Sequence, residues 1–171
     1  MPEPEHAGDE RELRFRQLYL AHCRAIQAYA VRRAEVRADV PDVVAEVFAV
    51  AWRRLDDVPG TPADLLWLYA VARRVLASRR RGTRRFASLI SRLELVSEAG
   101  SYPGPGADTL TERVRAAVAG LRPAEREALQ LVHWEQLSHA EAAEVLGCSV
   151  NAVGIRVHRA RRASAGPPWY Q

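Results

Sequence analysis

The chain has 171 residues, enough for one or two small domains with a hydrophobic core. Hydrophobic residues make up 48% of it, and no apolar run approaches the roughly 18 residues of a membrane-spanning helix, so membrane insertion is not expected. The net charge is only +4, but all 25 basic residues are arginine and they cluster. Seven lie between Arg73 and Arg85 and four between Arg156 and Arg162, which predicts two binding places for a polyanion.

The N-terminal half has a helical pattern throughout. Residues 1–9 are acidic and contain proline, so they predict a disordered tail and not a secretory signal. A first helix is expected over about residues 10–35, and a second from the cap Asp39 to about Leu55, with Pro41 in its first turn. In the first helix a helical period is kept by Phe15, Leu18, Tyr19, His22, Ile26 and Tyr29. The second helix should bury Val44, Val47, Phe48, Ala51 and Trp52.

A third helix is expected after the loop at 56–62, with Thr61 as its cap. It should end in the arginine-rich residues 79–85, before a short amphipathic segment at 86–96. Residues 97–108 are rich in Gly, Pro and Ser and lack periodicity, so they predict a flexible connector.

Two charged surfaces are predicted in this half. Asp39, Asp42 and Glu46 recur at i, i+3 and i+7, which places them on one helix face. This face can be simply solvated and favoured by the helix dipole, or it can be a docking surface for basic groups. Trp67 lies close in sequence to the arginines of 73–85, a combination that can hold single-stranded DNA by stacking and phosphate contacts. The alternative is a buried tryptophan beside a solvated helix end.

The last third of the chain predicts a helix followed by a helix-turn-helix. Ser138 and Glu141 have the spacing of a capping box, Gly147 supplies a tight turn, and Ser149 can cap the final helix. The first helix should bury Ala128, Leu129, Val132 and Trp134. The final helix should bury Val150, Val153, Val157 and Ala160, and present Asn151, Gly154, Ile155, His158, Arg159 and Arg162. A short helix with a basic outer face suits the DNA major groove.

Catalytic and metal-binding patterns are not found. Cys23 and Cys148 lie far apart with neither a CxxC motif nor a histidine partner, which favours two reduced thiols in a cytoplasmic protein over a zinc site or a disulfide. The histidines lack metal-ligand spacing, and there is neither a nucleophile elbow nor a glycine-rich phosphate loop. We therefore expect no cofactor and no enzymatic activity.

Three segments, in this order, resemble bacterial sigma factors. RADVPDVVAEVFAVAWRRL at 37–55 is similar to the family's D-x-x-D-L-V-Q-E-x-F-x-x-A-W segment. WLYAVARRVLASRRR at 67–81 resembles the promoter-melting helix. Residues 121–161 resemble the fourth conserved region, with its L-P-x-x-x-R start and L-S-x-x-E-I-A-x-x-L-G helix-turn-helix. The short connector and the lack of a middle domain are typical of the extracytoplasmic-function subfamily.

The resemblance implies an all-α fold with two small helical domains, at 10–96 and 109–163, and a tail at 164–171. Sigma factors are not enzymes; they bind core RNA polymerase and direct it to promoter DNA. The first domain would dock on the polymerase and open the minus-ten element. The second would recognise the minus-thirty-five element. An anti-sigma factor is expected as an inhibitory partner.

Three sets of site residues follow from the resemblance together with the charge pattern. Polymerase contacts are expected at Asp39, Asp42, Val43, Glu46 and Arg53. Minus-ten DNA contacts are expected at Trp67, Arg73, Arg74, Arg79, Arg80 and Arg81. Minus-thirty-five contacts are expected at Ser149, Asn151, Ile155, Arg156, His158, Arg159 and Arg162.

The chain departs from the family pattern at several positions. Ala45 replaces the usual Gln of the docking helix, while Arg74 and Ser78 replace the usual Asn and Asp of the melting helix. Gly154 and Ile155 stand where many relatives carry Arg, Lys or Ser. These changes concern promoter sequence more than role.

Two other functions remain open at this point. A stand-alone helix-turn-helix regulator would explain the C-terminal part equally well, but not the acidic helix and the Trp/Arg helix together. A helical protein-interaction module would leave both arginine clusters without a use.

Overall fold

The computed structural model describes residues 4–93 and 117–164, with side chains at 8–85 and 117–163. The chain divides into two compact units, residues 1–96 and 97–171. The described ranges are almost wholly α-helical and contain no strand, which confirms the predicted all-α class. The predicted connector and nearly all of the predicted tail lie outside the described residues. None of the described helices is long and apolar enough to cross a membrane.

Between residues 4 and 93, the N-terminal unit contains three α-helices. They are α1 (Pro4–Arg33), α2 (Val40–Arg53) and α3 (Ala63–Leu93), with single 3-10 turns before and after α2. Each helix packs on the other two. The largest fully buried side chains of this unit are Ile26, Tyr29, Val43, Val47, Leu55 and Leu68. Tyr29 and Tyr69 stack with their ring centroids 5.0 Å apart, which joins α1 to α3.

Two predicted helix boundaries are wrong. The predicted disordered tail is helical from Pro4, because proline fits the first turn of a helix and the acidic residues after it favour the positive end of the helix dipole. The third helix does not end in the arginines of 79–85 but continues to Leu93. Arginine is a good helix former, so a run of arginines continues a helix as readily as it ends one. Gly82 costs about 1 kcal/mol of helix propensity but does not interrupt the helix.

Two caps differ from expectation. Asp39 precedes α2, as predicted, but its side chain makes no capping hydrogen bond. Thr61, the predicted cap of α3, lies two residues before the helix, which begins at Ala63. Its hydroxyl donates to Asp64 Oδ2 at 3.1 Å.

The α1–α2 surface is more aromatic than the sequence predicted. Trp52 is predicted to be buried, yet it is 40% exposed, and Tyr19 is 42% exposed. They form the outer edge of a cluster of edge-to-face rings, in which Phe15 lies 5.1 Å from Trp52 and Tyr19 lies 4.8 Å from Phe48. The guanidinium of Arg11 covers Trp52 at 5.4 Å. Large amphipathic rings at a helix boundary bury one edge and leave the other in water.

The C-terminal unit contains α4 (Pro123–His133), α5 (His139–Leu146) and α6 (Val150–Ser164). All three pack on one another around Leu121, Ala128, Leu131, Val145, Val153, Val157 and Ala160. The predicted capping box is confirmed: Ser138 Oγ accepts from Glu141 N–H, and Glu141 accepts from Ser138 N–H at 2.8 Å. Gly147 has φ 63°, the left-handed conformation that a glycine cap supplies.

Four positions of this unit were assigned wrongly to the core. Val150 is 50% exposed because it is the first residue of α6 and extends beyond its neighbours. Trp134 is 42% exposed because α4 has already ended at His133. Leu129 and Val132 are only half-buried, and α4 instead buries Glu125, Ala128, Gln130 and Leu131.

Candidate functional surfaces

The exposed face of α2 carries most of the predicted docking residues. Asp42 and Glu46 have 72% and 44% of their side-chain surface exposed, while Asp39 is half-buried and Arg53 is exposed. We call Asp42 and Glu46 the acidic face. Val43 has no exposed surface, so its predicted role as a direct contact is wrong. Val43 is instead a core residue of α2.

The acidic face is occupied within its own unit. The guanidinium of Arg79 on α3 approaches both carboxylates, with Nε 3.2 Å from Glu46 Oε2 and Nη1 3.8 Å from Asp42 Oδ2. Sequence spacing could not reveal this contact, because 33 residues separate Arg79 from Glu46. Trp52 is another exposed side chain of α2 that sequence reasoning missed, since an aromatic residue at helical spacing is normally assigned to the core; it packs on Phe15 and Arg11 of α1.

The six residues predicted for minus-ten DNA occupy different environments. Arg74 and Arg81 are exposed, and within the described side chains neither makes a hydrogen bond or an ion pair. Arg73 is half-buried and already engaged in an interaction. Arg80 donates from Nη2 to the carbonyl oxygen of Arg33 at 2.6 Å, and its Nε lies 3.6 Å from Glu35.

Trp67 is half-buried. It is therefore neither a fully exposed stacking platform nor a fully buried core residue, the two predicted alternatives. The guanidinium of Arg54 lies 6.0 Å from its ring centroid, at the limit of a cation–π contact. Part of the ring is therefore accessible beside a positive charge.

The start of α3 holds a largely buried carboxylate, that of Asp64. Asp64 Oδ2 lies 2.9 Å from His22 Nε2, and its Oδ1 accepts the Leu65 N–H at 2.9 Å. Burial raises the pKa of Asp64, but the hydrogen bonds from His22, Leu65 and Thr61 together outweigh it and leave the pKa below its usual range. The carboxylate therefore stays ionised and fixes α1 to the first turn of α3.

A cleft of about 230 Å³ opens beside this carboxylate, between α1 and the loop that precedes α3. Its polar lining comes from Arg14, Gln17 and Asp64, and its apolar lining includes Val58. Arg14 Nη2 donates to the Val58 carbonyl oxygen at 2.9 Å, which holds the loop against α1. The cleft therefore offers a guanidinium group from Arg14, an amide from Gln17 and apolar walls beside the loop that precedes α3.

The outer face of α6 presents most of the predicted minus-thirty-five residues. Asn151, Ile155, His158, Arg159 and Arg162 are exposed, and Ile155 is 43% exposed. Within the described side chains, no hydrogen bond or ion pair engages Arg159 or Arg162.

Three α6 positions have local structural roles. Ser149 Oγ accepts the Ala152 N–H at 3.2 Å, so Ser149 is the predicted cap. Arg156 is half-buried, with Nη1 3.4 Å from Cys148 Sγ. A methyl group added to Gly154 would lie 3.8 Å from His139 Nδ1, so Gly154 faces α5 and not the outer surface.

Within the described residues, no cluster of histidine, cysteine or carboxylate side chains could hold a metal ion.

A family comparison covers the C-terminal unit. The family described as Sigma-70, region 4 matches residues 111–163, which include the whole helix-turn-helix.

Whole-chain relatives include the RNA polymerase sigma factor NccH of Alcaligenes xylosoxydans xylosoxydans, 32% identical over 86% of this chain and 82% of NccH. CnrH of Cupriavidus metallidurans is 33% identical over 91% of this chain and 85% of CnrH. The ECF RNA polymerase sigma-E factor of Escherichia coli K12 is 33% identical over 80% of this chain and 77% of that factor.

Solved structures agree with these relatives. CnrH in complex with the cytosolic domain of CnrY is 29% identical, with a TM-score of 0.63 over 88% of this chain and 84% of CnrH. The sigma factor RpoE of Bartonella quintana, in complex with the anti-sigma factor NepR, has a TM-score of 0.69 over 88% of this chain and 93% of that chain. At 23% identity, this second likeness is one of fold.

The matches extend over both units and the predicted connector, which a stand-alone regulator that shared only the helix-turn-helix would not produce. The chain belongs to the extracytoplasmic-function (ECF) RNA polymerase sigma factors, the proteins that bind core polymerase and direct transcription initiation.

Proposed function

We propose that the two units divide promoter-directed initiation between them. The N-terminal unit docks on core polymerase through the acidic face of α2 and holds the minus-ten element as single-stranded DNA along α3. The C-terminal unit recognises the minus-thirty-five element through α6. The protein acts in the cytoplasm and contributes no catalytic chemistry of its own. The observation that carries the proposal is the pairing of an exposed acidic face with two exposed basic helix surfaces in one sigma-family chain.

Docking depends on charge. Asp42 and Glu46 project from α2, whose Val43 and Val47 are fully buried in the core of the unit. A basic surface on the polymerase can therefore meet them without any rearrangement of α2.

The docking assignment is tested by reversing the charge of this face. Asp42→Arg combined with Glu46→Arg should abolish holoenzyme assembly in a native gel, and the fold should persist because both side chains are exposed. Glu10→Arg combined with Glu12→Arg is the matched control, since it makes the same charge change at exposed positions of α1. Normal assembly by the α2 variant, or equal loss in both variants, would contradict the assignment.

Minus-ten engagement is assigned to the exposed arginines of α3 and to the accessible part of Trp67. Arg74 and Arg81 have no competing partner in the described side chains, so they are the best phosphate contacts. The cleft beside Asp64 is the place that we assign to an unstacked base, since it offers polar groups and apolar walls at one loop.

This assignment predicts a change in salt dependence. Arg74→Ala combined with Arg81→Ala should slow open-complex formation, seen as weaker permanganate footprints on the melted strand. It should also reduce the slope of log affinity against log salt by about 0.7 for each phosphate contact to single-stranded DNA that is lost. Unchanged footprints together with an unchanged slope would rule the assignment out.

An anti-sigma factor is the remaining proposed partner. RpoE of Bartonella quintana, which shares the fold, was solved with the anti-sigma factor NepR. CnrH, at 29% identity, was solved with the cytosolic domain of CnrY. Affinity capture from cells that express the tagged chain should recover a protein that prevents holoenzyme assembly. Capture of polymerase subunits alone would favour control by synthesis of the sigma factor.

A further inference from the structure

Gly154 lies where the outer face of α6 meets the side that packs on α5. It is half-buried, and at about 100° per residue it lies about 40° around the helix from His158 and about 60° from Asn151, which are both exposed. A side chain at this position would leave α6 beside those that we assign to the minus-thirty-five element. Glycine supplies none, so α6 itself has no reading group at this edge.

The imidazole of His139 reaches this edge from α5. Its Nδ1 lies 3.8 Å from the place that a Cβ atom of Gly154 would take, and no other described side chain, apart from the chain neighbours of Gly154, comes within 4 Å of that place. His139 is exposed, and within the described side chains its ring makes no hydrogen bond or ion pair. Its ring nitrogens can therefore bind a ligand without the loss of such a contact.

The capping box of α5 holds the backbone of His139 in this position. His139 is the first residue of α5 and directly follows the cap Ser138. The Ser138 N–H donates to Glu141 at 2.8 Å, and the Ser138 hydroxyl accepts the Glu141 N–H at 3.2 Å, which fixes the first turn. Since α5 packs on α6, the backbone of His139 is held beside Gly154 and only its side-chain torsions can vary.

We infer that His139 takes the place of the side chain missing at Gly154 and reads a purine of the minus-thirty-five element, so that α5 and α6 recognise this element together. This inference rests on the DNA-binding role that we propose for α6. An imidazole N–H can donate to N7, the acceptor that both adenine and guanine expose in the major groove.

The test is the selection of a randomised minus-thirty-five element by holoenzyme assembled with His139→Ala. This variant should lose a purine preference at one position and bind the wild-type consensus about two- to tenfold more weakly, the effect of one hydrogen bond. Gly154→Ala is the matched control, because its added methyl group would make an ordinary contact with the imidazole and should leave the preference unchanged. Neither variant should unfold at a lower temperature, since His139 is exposed and alanine is a better helix former than glycine.

A second experiment tests whether the two positions act as one. Gly154→Arg places a long side chain at the edge that the imidazole now occupies. His139→Ala should therefore weaken promoter binding less in the Gly154→Arg chain than in the wild-type chain, because residues that share a contact have non-additive effects. Equal effects in the two chains would overturn the inference.

An unchanged consensus in His139→Ala would also overturn it, whether affinity falls equally for all sequences, as for a phosphate contact, or stays at the wild-type level. Arg159→Ala separates this outcome from a failure of the proposed function. If Arg159→Ala weakens promoter binding while His139→Ala leaves the consensus unchanged, the role of α6 stands and that of His139 is wrong. If neither variant changes affinity or selection, the proposed minus-thirty-five surface itself is wrong.

Discussion

The two units hold their proposed DNA-binding helices in different ways. In the N-terminal unit, α3 is fixed partly by charged side chains, with Asp64 bound to His22 at one end and Arg79 and Arg80 bound to carboxylates further along. In the C-terminal unit, α6 is fixed by a buried apolar stripe and by a hydroxyl cap at Ser149.

The difference has a consequence for binding. Arg79 and Arg80 pair with carboxylates of their own unit and are also among the residues proposed to contact DNA, so DNA binding through them would compete with these ion pairs. In α6 the groups that hold the helix and the groups that face outward are separate. Arg159 is exposed on α6 and has no hydrogen bond or ion pair within the described side chains, whereas Arg79 is paired with Glu46.

The largest effect on promoter binding is expected at Arg159, an exposed side chain without a hydrogen bond or ion pair within the described side chains. Arg159→Ala should lower promoter occupancy about tenfold or more, since a base-reading arginine contributes roughly 1–3 kcal/mol of discrimination. The fold should be unaffected, because Arg159 is exposed on α6. Selection from a randomised minus-thirty-five element should also show relaxed preference at one base.

Arg156→Ala is the informative control for that experiment, since Arg156 is half-buried against Cys148. It should change stability more than base preference. If Arg159→Ala gave the wild-type consensus, Arg159 would contact a phosphate at most. If it lowered the unfolding temperature, the proposed separation of roles in α6 would be wrong.

The next largest effect is expected on the stability of the N-terminal unit, when the carboxylate of Asp64 that binds His22 is removed. Asp64→Ala should destabilise the N-terminal unit by about 1–3 kcal/mol at neutral pH, because it removes a largely buried carboxylate and leaves its hydrogen-bond donors unpaired. Urea unfolding followed by the methyl NMR signals of Val47 and Leu68 would measure it. The signals of Val153 and Val157 should report an unchanged C-terminal unit.

The stability difference between wild type and Asp64→Ala should depend on pH. The pKa of Asp64 is lower in the folded chain than in the unfolded chain, so its stabilising contribution is present above the unfolded value of about 4 and is lost as pH falls through the folded value. The difference between wild type and Asp64→Ala should therefore shrink below about pH 4. A difference that is constant from neutral to acid pH would show that packing, not ionisation, is the source.

The C-terminal unit was more predictable than the N-terminal unit, for a physical reason. Its helix caps join residues close in sequence, such as Ser138 and Glu141, so a local sequence pattern is enough to predict them. The contacts of Asp64 with His22 and of Arg79 with Glu46 join residues 42 and 33 positions apart, and no local pattern encodes them. The exposure of Trp52 could not be predicted either. Helical spacing shows which side of a helix a residue occupies, but not how much of that side the neighbouring helices cover.

A smaller effect is expected at the local cap of α5. Ser138→Ala should destabilise the C-terminal unit by about 1 kcal/mol, since it removes the hydroxyl that accepts the Glu141 N–H. The Val153 and Val157 methyl signals should shift to a lower urea midpoint, while those of Val47 and Leu68 should not. Ser138→Asp is the matched control, because aspartate is an equally good cap and should retain most of the stability.

The smallest effect concerns Gln136, which has φ 56°, a left-handed conformation that costs a residue with a side chain about 1–2 kcal/mol. Its amide donates to the His133 carbonyl oxygen at 2.6 Å, which partly offsets that cost. Gln136→Gly removes the strain but loses this exposed hydrogen bond and gives the unfolded chain more freedom, worth about 0.4–1 kcal/mol. The net expectation is a gain of about 0.5 kcal/mol in the C-terminal unit. Gln136→Ala should lower stability, because it loses the hydrogen bond and keeps the strain. A loss in Gln136→Gly equal to that in Gln136→Ala would mean that the hydrogen bond outweighs the backbone strain.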